Sequence, residues 1–482
     1  MLEQLEPKNV FSYFEKICSI PHGSGNIQGI SNYLAEFAKE RNLEYIQDET
    51  YNVIIKKDAS KGYEQMEPVI IQGHMDMVAV KKPDCGKDLL TDPLDVRIEG
   101  DFVYAEGTSL GGDDGIAVAY ALALLDSEEI PHPPLEVVIT VEEEVGMEGA
   151  LAIDLSSLKG KRLLNIDSEK EGELTVSCAG GMRINGFLPV QWQEIPQGSN
   201  GWEITLTGLM GGHSGVEIHK NRGNANILMG KLLQRLSEKE DIALSALEGG
   251  TKDNAIPREA KAIIFFSQDN RENCEKILKE MEKELQNIYR ETDQELHILL
   301  KEATEQLKQK VLEKPSMDKI IQLLCTVPNG VCAMSRQLEG LVETSLNLGI
   351  MSLQEKEFSA AFSLRSSVAS EKEKLRDRIT DILSSLGGSY HFSGDYPAWE
   401  YKEDSRLRDT FIQVYEKMYG KEPVVLSVHA GLECGILAGK IKDLDSVSFG
   451  PDMENIHTTE EKLSISSTKR VWEFLLELLK AL

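Results

Sequence analysis

Acidic and imidazole side chains follow the ends of several apolar, strand-like segments. The run PVIIQ leads into GHMDMV, which places His74 and Asp76 two residues apart and on the same side of a continuing strand. A carboxylate in that position can orient an imidazole whose other nitrogen binds a metal. Alone, such a pair is more often a surface-exposed strand end, so the prediction of a metal site depends on further ligands.

Two further segments supply carboxylates. In LGGDDGIAVAYALALL, Asp113 and Asp114 lie in a glycine-rich turn before a helix, where negative charge is favoured. In LEVVITVEEEVGMEG, a strand rich in β-branched residues runs into Glu142, Glu143 and Glu144, and adjacent carboxylates repel one another unless they are solvated or face cations. Considered separately, each segment has an ordinary explanation. The aspartates could simply cap a helix, and the glutamates could simply be solvated.

The joint pattern is more specific than its parts. RLLNID ends at Asp167, and SVSFGPDMENIHTTEEKL carries a strand into a loop with His457, just before a helix start expected at Thr458 or Thr459. In open α/β sheets, ligands bind beyond the carboxyl ends of the strands. Mixed imidazole and carboxylate ligands suit zinc, manganese or cobalt, and a shared carboxylate allows two ions about 3.5–4 Å apart. The sequence thus indicates a metal site that can hold two ions.

The elements that must position these residues alternate between apolar strands and helical patterns over residues 1–184, which is typical of α/β architecture. The irregular stretch GFLPVQWQEIPQGSNGW predicts a boundary, and a second domain is expected over residues 185–396, up to GDYPAW. Within it, two segments have the pattern of a strand followed by a charged helix, which suggests a duplicated unit. Residues 397–482 resume the alternation and are expected to complete the first domain.

Composition narrows the class of protein. The 482 residues carry 52 basic and 80 acidic side chains, a net charge of −28, which disfavours binding of nucleic acid over a broad surface. Seven scattered cysteines without a CxxC pair indicate reduced thiols. No apolar run reaches the roughly 18 residues that span a membrane, and the N-terminus lacks a signal-peptide pattern. We expect a cytoplasmic protein without nucleic-acid or membrane partners.

The ordered set GHMDMV, GGDDG, EEEVGMEGA, NID and His457 resembles the co-catalytic zinc aminopeptidase and carboxypeptidase superfamily, which includes aminoacylases. The resemblance is closest to its aminoacyl-histidine dipeptidase branch. It extends over nearly the whole chain through SIPHGSGN, MGGHSGVEIHKNRGNA, GGTKDNAIPRE, FSLRSSV and HAGLECG. It implies an α/β fold in which a zinc-peptidase-type catalytic domain with a central mixed sheet is interrupted by an α/β-sandwich lid (dimerisation) domain, and a homodimer that pairs through this lid.

The resemblance also implies roles at the metal site. The implied ligands of two Zn²⁺ per subunit, with Co²⁺ or Mn²⁺ as alternatives, are His74, Asp113 and Asp167 for one ion and Asp113, Glu144 and His457 for the other. Glu143 matches the general base, Asp76 the partner of His74, and Asp113–Asp114 a cis peptide. Three ligand carboxylates would offset three of four positive charges, which leaves the metal pair able to acidify water.

For the substrate, the resemblance implies that His213 polarises the scissile carbonyl, typically in the active site of the partner subunit. It also implies that Asn254, Arg365 and Gly431 bind the peptide termini. An arginine offers a bidentate fork to a carboxylate, and a glycine lets a backbone N–H approach closely. Two alternatives stay open: Arg365 could pair with an acid of the lid, and Gly431 could simply start a helix.

The predicted function is metal-dependent hydrolysis of dipeptides, of Xaa-His type or broad specificity, with a small peptide as substrate. One alternative is an N-acyl-amino-acid deacylase of the same superfamily, which would need the same metals and base. Another is a non-catalytic metal- or peptide-binding protein. The presence of Glu143 beside all five ligand positions argues against the latter, because metal binding does not require a base.

Overall fold

A computed structural model describes residues 1–303, 310–338 and 340–482 of the chain. The chain divides into two compact units. Unit 1 comprises Met1–Cys178, Tyr401–Ser427 and Leu432–Leu482, and unit 2 comprises Ala179–Glu400 and Val428–Gly431.

The sequence placed the domain boundaries after residues 184 and 396, whereas the units divide after Cys178 and Glu400. The first difference arises because Gly180–Pro189 is a continuous strand that pairs along its whole length with Glu357–Ser366 of unit 2. The second arises because the Glu400 carboxylate accepts a hydrogen bond of 2.8 Å from the Ala369 N–H. Both segments therefore fold with unit 2.

The helices carry the amphipathic or fully apolar patterns seen in the sequence. No helix in the described part of the chain is long and apolar enough to cross a membrane. The α-helices of the described residues are α1 (Lys8–Cys18), α2 (Gln28–Glu40), α3 (Gly112–Asp126), α4 (Glu148–Ala152), α5 (Ala225–Lys239), α6 (Arg271–Ile288), α7 (Lys314–Thr326), α8 (Ala369–Ser385), α9 (Arg406–Tyr419), α10 (Glu433–Lys440) and α11 (Ile465–Ala481).

The strands alternate with these helices along unit 1 and parts of unit 2. Those of the described residues are β1 (Glu44–Gln47), β2 (Val53–Lys57), β3 (Val69–His74), β4 (Val96–Glu99), β5 (Phe102–Ala105), β6 (Leu135–Thr140), β7 (Arg162–Asn165), β8 (Glu173–Cys178), β9 (Gly180–Pro189), β10 (Trp192–Glu194), β11 (Ser199–Thr207), β12 (Gly212–His213), β13 (Ala243–Gly249), β14 (Ala255–Ile256), β15 (Ala260–Ser267), β16 (His297–Glu302), β17 (Lys310–Leu312), β18 (Gly330–Met334), β19 (Val342–Leu353), β20 (Glu357–Ser366), β21 (Ser389–Tyr396), β22 (Val424–Val428), β23 (Asp445–Ser448), β24 (Met453–Glu454) and β25 (Lys462–Ser464).

Unit 1 is built on a mixed eight-stranded sheet in the order β1-β2-β6-β3-β7-β23-β8-β22. Strand β3 runs parallel to both of its neighbours, β6 and β7. Every residue of β3 and β6 is buried, as expected for parallel strands that are covered on both faces. Because the carboxyl ends of β3, β6 and β7 meet at one edge of the sheet, the residues that follow them come together there.

Helix α3 covers this sheet and is buried from Gly112 to Leu125. Its small side chains permit close approach: a Cβ atom on Gly73 of β3 would lie 2.6 Å from the Cβ of Ala117. This contact fixes the start of α3, and hence Asp113 and Asp114, beside the end of β3. A second, four-stranded sheet in the order β24-β25-β5-β4 completes unit 1.

Unit 2 contains a sheet of nine described strands in the order β16-β11-β15-β13-β19-β20-β9-β21, with β18 paired to β19. Two strand–helix units recur in it, β15–α6 and β20–α8, as the sequence suggested. Alternate residues of β15 are buried over its first half, and the buried apolar side chains of these strands and of α5–α8 form one core cluster. The predicted α/β class with a central mixed sheet is thereby confirmed.

Candidate metal centre

The first histidine of the site ends strand β3 and is almost fully buried. His74 Nε2 lies 3.2 Å from Asp113 Oδ1 and 3.7 Å from Asp167 Oδ1. Its Nδ1 donates a hydrogen bond of 2.9 Å to the main-chain carbonyl of Asp76, which leaves Nε2 to face the two carboxylates. Burial opposes protonation, but Asp113, Asp167 and Asp76 together raise the pKa of His74 well above its usual value.

The second histidine comes from the loop after β24. His457, at a φ of 61°, places Nε2 at 3.1 Å from Asp113 Oδ2 and 3.0 Å from Glu144 Oε1. Hydrogen bonding to Asp113 and then to Glu144 raises the pKa of His457 to about 10. Asp113 therefore presents one carboxylate oxygen to each histidine. Asp167 is the second carboxylate near His74, and Glu144 is the second carboxylate near His457.

These distances fit divalent metal ions. Tetrahedral zinc ligands at 2.0–2.2 Å from the ion are about 3.4 Å apart, and the four histidine–carboxylate distances given above bracket that value. Two overlapping sets of ligand atoms in the described part of the chain lie within 4.8 Å of one another: His74, Asp113 and Glu144, and His74, Asp114 and Asp167. Clustered, mostly buried carboxylates are costly without a compensating cation, so the donor set is suited to metal binding.

The Asp113–Asp114 turn differs from an ordinary capped helix start. Its peptide bond is cis, both residues have non-helical backbone angles, and no side chain caps α3 at Gly111. Asp114 is fully buried, and its Oδ2 accepts a hydrogen bond of 3.2 Å from the His74 N–H. Asp114 thus fastens the turn to β3, while Asp113 faces the two histidines.

The three glutamates after β6 have different surroundings. Glu142 Oε1 accepts a hydrogen bond of 2.9 Å from the Gly25 N–H, whereas Glu144 faces His457. Glu143 lies between them and pairs with neither histidine in the described residues. Burial raises the pKa of Glu143 well above its usual value, and Asp167 adds to this effect. Of the three, Glu143 has the environment of a proton acceptor with an elevated pKa.

Asp76 has a different principal contact from the one expected. Its carboxylate is 3.6 Å from His74 Nδ1, but it accepts hydrogen bonds from the backbone N–H of Glu143 at 3.1 Å and of Glu144 at 3.4 Å. The Ser24 hydroxyl also donates to it at 2.8 Å. Asp76 therefore holds the segment that bears Glu143 and Glu144. Ser24 lies in the segment SIPHGSGN, but no role was predicted for it from the sequence.

The substrate-binding candidates lie in unit 2. His213 Nδ1 accepts hydrogen bonds from the backbone N–H of Gly215 and of Val216, both at 3.2 Å. A neutral imidazole that accepts at Nδ1 carries its proton on Nε2. Burial and then the charge of Arg365 lower the pKa of His213, so the ring is neutral at pH 7 and Nε2–H is a hydrogen-bond donor.

Arg365 lies beside His213. A Cβ atom on Gly215 would be 3.0 Å from His213 Cε1 and 3.2 Å from Arg365 Nε, and it would collide with the main-chain oxygen of His429 at 2.6 Å. Arg365 Nη1 donates to the Tyr396 hydroxyl at 2.9 Å, and its buried Nε has no hydrogen-bond partner in the described residues. The side chain is thus oriented by a tyrosine, and no ion pair with a lid acid is seen among the described residues.

Asn254 and Gly431 complete the set. The main-chain carbonyl of Asn254 accepts a hydrogen bond of 2.8 Å from the Ser214 N–H. With His213, Asn254 lines an open cavity of about 990 Å³ in unit 2. Gly431 ends the short segment Val428–Gly431 of unit 2 and precedes Leu432, the residue that flanks the start of α10. In this segment, a hydrogen bond of 2.7 Å joins His429 Nε2 and the Ser345 hydroxyl.

Comparisons with known proteins identify the family of this chain. Residues 204–293 match a family model described as a peptidase dimerisation domain. The chain is 37% identical to the cytosol non-specific dipeptidase of Escherichia coli K12 over 479 residues, which cover 99% of this chain and 98% of the relative. The crystal structure of aminoacylhistidine dipeptidase from Vibrio alginolyticus superimposes with a TM-score of 0.94 at 36% identity, covering 100% of this chain and 98% of that one.

A more distant structure shows the fold alone: the aminopeptidase PepT from Bacillus cereus has a TM-score of 0.57 at 15% identity and covers 99% of both chains. The Escherichia coli relative and the Vibrio alginolyticus structure are more informative, because each is more than one third identical to this chain over nearly its full length. The chain therefore belongs to the family of the cytosol non-specific, or aminoacylhistidine, dipeptidases within the M20 peptidases.

Proposed function

We propose that this protein hydrolyses dipeptides with a free carboxylate, at a site that binds two divalent ions. One observation carries the proposal: the two oxygens of Asp113 face two different histidine Nε2 atoms, at 3.2 and 3.1 Å. A carboxylate in that position can bridge two ions. The proposed ligands are His74, Asp113 and Asp167 for one ion and Asp113, Glu144 and His457 for the other, with Zn²⁺ as the expected metal and Co²⁺ or Mn²⁺ as substitutes.

Two bound ions would supply Lewis-acid polarisation of the scissile carbonyl and lower the pKa of water. Glu143 would take the proton of the attacking water and deliver it to the leaving amine. Asp76 would keep Glu143 in place through the backbone N–H groups that it accepts.

Unit 2 would recognise the peptide. The Nε2–H of His213 is the donor that can stabilise the carbonyl oxygen as negative charge develops. Arg365 would bind the terminal carboxylate of the substrate through its guanidinium fork, and Asn254 and Gly431 would complete the contacts to the termini. The proximity of His213 and Arg365 to the same glycine supports the proposal that both contact one substrate molecule.

The proposed assembly is a cytoplasmic homodimer that pairs through unit 2. The support is that the matched peptidase dimerisation domain, residues 204–293, lies wholly within this unit. As the resemblance implies, His213 of one chain would then act over the metal site of the other.

A substrate panel tests the function. Purified, metal-loaded protein should hydrolyse dipeptides, including Xaa-His, with a kcat/KM well above that for N-acyl amino acids. Dipeptide amides, which lack the terminal carboxylate, should be poor substrates because Arg365 would lose its partner. Preference for N-acyl amino acids would assign the deacylase function instead, and no turnover of any compound by the loaded protein would favour a binding protein.

A further inference from the structure

A buried glutamate close to the metal centre has no role assigned so far. Glu461 lies four residues after His457 and is 3% exposed. Its Oε2 accepts hydrogen bonds from the backbone N–H of Leu110 at 2.8 Å and of Gly111 at 3.2 Å. Its Oε1 accepts from Gly112 at 2.8 Å and from Asp113 at 3.4 Å. One carboxylate thus receives four consecutive backbone N–H groups of the turn that carries Asp113.

These N–H groups need an acceptor from elsewhere. Three of them, those of Gly111, Gly112 and Asp113, belong to the start of α3, where the first backbone donors of a helix have no partner within the helix. A side chain at the N-cap or in the first turn usually serves, but here Gly111 has none and no local side chain caps the helix. The carboxylate of Asp113, which could have capped it, faces His74 and His457 instead. Glu461 takes over the capping and leaves Asp113 free for the metal site.

Glu461 also joins two parts of the site that are far apart in sequence. Asp113 and His457 are 344 residues apart, and Glu461 belongs to the same loop as His457. The residues immediately after it are fixed, because Lys462–Ser464 pair with β5 on one side and with β24 on the other. A carboxylate anchored in this way holds the Asp113 turn at a set distance from the His457 loop.

We propose that Glu461 is a positioning residue that keeps Asp113 and His457 aligned for metal binding. The inference depends on the proposed two-metal function, since it assigns Glu461 to the alignment of the bridging ligand. The hydrogen bonds between the Glu461 carboxylate and the backbone N–H groups are charge-assisted. They lie at a helix N-terminus, where a negative charge is favoured. The packing is tight at Gly112, where a Cβ atom would lie 3.3 Å from Glu461 Oε1.

The chain offers a matched control in the preceding residue. Glu460 carries the same charge, but its side chain is 60% exposed and pairs with Lys82 Nζ at 2.6 Å. It makes no contact with the Asp113 turn in the described residues. Glu460→Gln therefore removes one negative charge from the same loop without touching the capping carboxylate.

The test is a titration of metal-depleted protein with Co²⁺, followed by its absorption spectrum, in the wild type, Glu461→Gln and Glu460→Gln. Glutamine keeps the size of the side chain but replaces one acceptor oxygen with an NH₂ donor. Glu461→Gln should bind Co²⁺ about 10- to 100-fold more weakly, with an altered d–d spectrum at saturation. Glu460→Gln should match the wild type in both respects.

Circular dichroism checks that each variant is folded. If Glu461→Gln does not fold, Glu461→Asp is tested instead. This variant keeps a carboxylate on a shorter side chain, so it should fold and should weaken Co²⁺ binding less than expected for Glu461→Gln. The proposal would be overturned if folded Glu461→Gln, or Glu461→Asp where it is used instead, had the Co²⁺ affinity and the spectrum of the wild type. A wild-type protein that binds no Co²⁺ would instead refute the proposed metal site, and with it the role of Glu461.

Discussion

Replacement of Glu143 with glutamine is expected to lower kcat by about 10²- to 10⁴-fold, the usual contribution of a general base, while both metal ions stay bound. The reason is that Glu143 faces neither histidine, and its backbone is held by Asp76 irrespective of its side chain. Glu144→Gln should give the opposite pattern, because Glu144 Oε1 lies 3.0 Å from His457 Nε2. Steady-state kinetics combined with elemental analysis separates the two variants.

Glu142→Gln is the matched control for this pair. Its carboxylate accepts from the Gly25 N–H and lies outside the metal site, so both turnover and metal content should remain close to those of the wild type. If Glu143→Gln lost metal and Glu144→Gln kept it, the roles of the two residues would have to be exchanged.

His213→Ala is expected to lower kcat by about 10²- to 10³-fold, the range seen when one oxyanion donor is removed. Metal content and folding should be unaffected, because His213 lies in unit 2 and all five proposed ligands lie in unit 1. Arg365→Ala should act mainly on KM, since a carboxylate contact is made in the ground state as well as in the transition state. Kinetics on one dipeptide distinguishes these two patterns.

Mixed dimers test which active site His213 serves. If it acts on the metals of the partner, exchange of subunits between Glu143→Gln and His213→Ala should restore one intact site in each heterodimer. A mixture of His213→Ala with Arg365→Ala should gain no activity beyond the sum of the two separate variants, because the two side chains lie beside the same glycine of one chain and each heterodimer site would lack one of them. Verified heterodimers of the first pair without activity would show that His213 serves its own chain.

The proposed metal ligands could be identified from the sequence because side-chain type and strand position together carry the signal. His74 ends a buried strand, and Glu144 and Asp167 follow the ends of its two parallel neighbours. Parallel strands bring such residues to one edge regardless of their separation along the chain. The assignment of each residue to one ion or the other remains a proposal from the resemblance.

Contacts to backbone N–H groups could not be predicted in this way. Every non-proline residue has such a group, so the bonds of Glu461 to the turn at Leu110–Asp113 have no pattern in residue type. The helix start expected at Thr458 or Thr459 is wrong: α11 begins at Ile465, after the short strand β25. Because the expected helix would have included position 461, the sequence pattern predicted a wrong location for Glu461. The main contacts of Asp76, also to backbone N–H groups, were missed for the same reason.

The proximity of His213 and Arg365 was equally hidden in the sequence. The two residues lie on strands that do not pair with each other, β12 and β20, and their side chains both lie beside Gly215. The domain boundaries were displaced by a few residues because strand pairing, which depends on distant partners, decides where each unit begins.

Metal stoichiometry measured together with activity tests the central claim most directly. Metal-depleted protein should be inactive toward dipeptides, and titration with Zn²⁺ should restore turnover with saturation at two ions per chain. Co²⁺ or Mn²⁺ should restore part of the activity. Full turnover by protein shown to contain no metal, or saturation of binding and activity at a single ion, would contradict the dinuclear site.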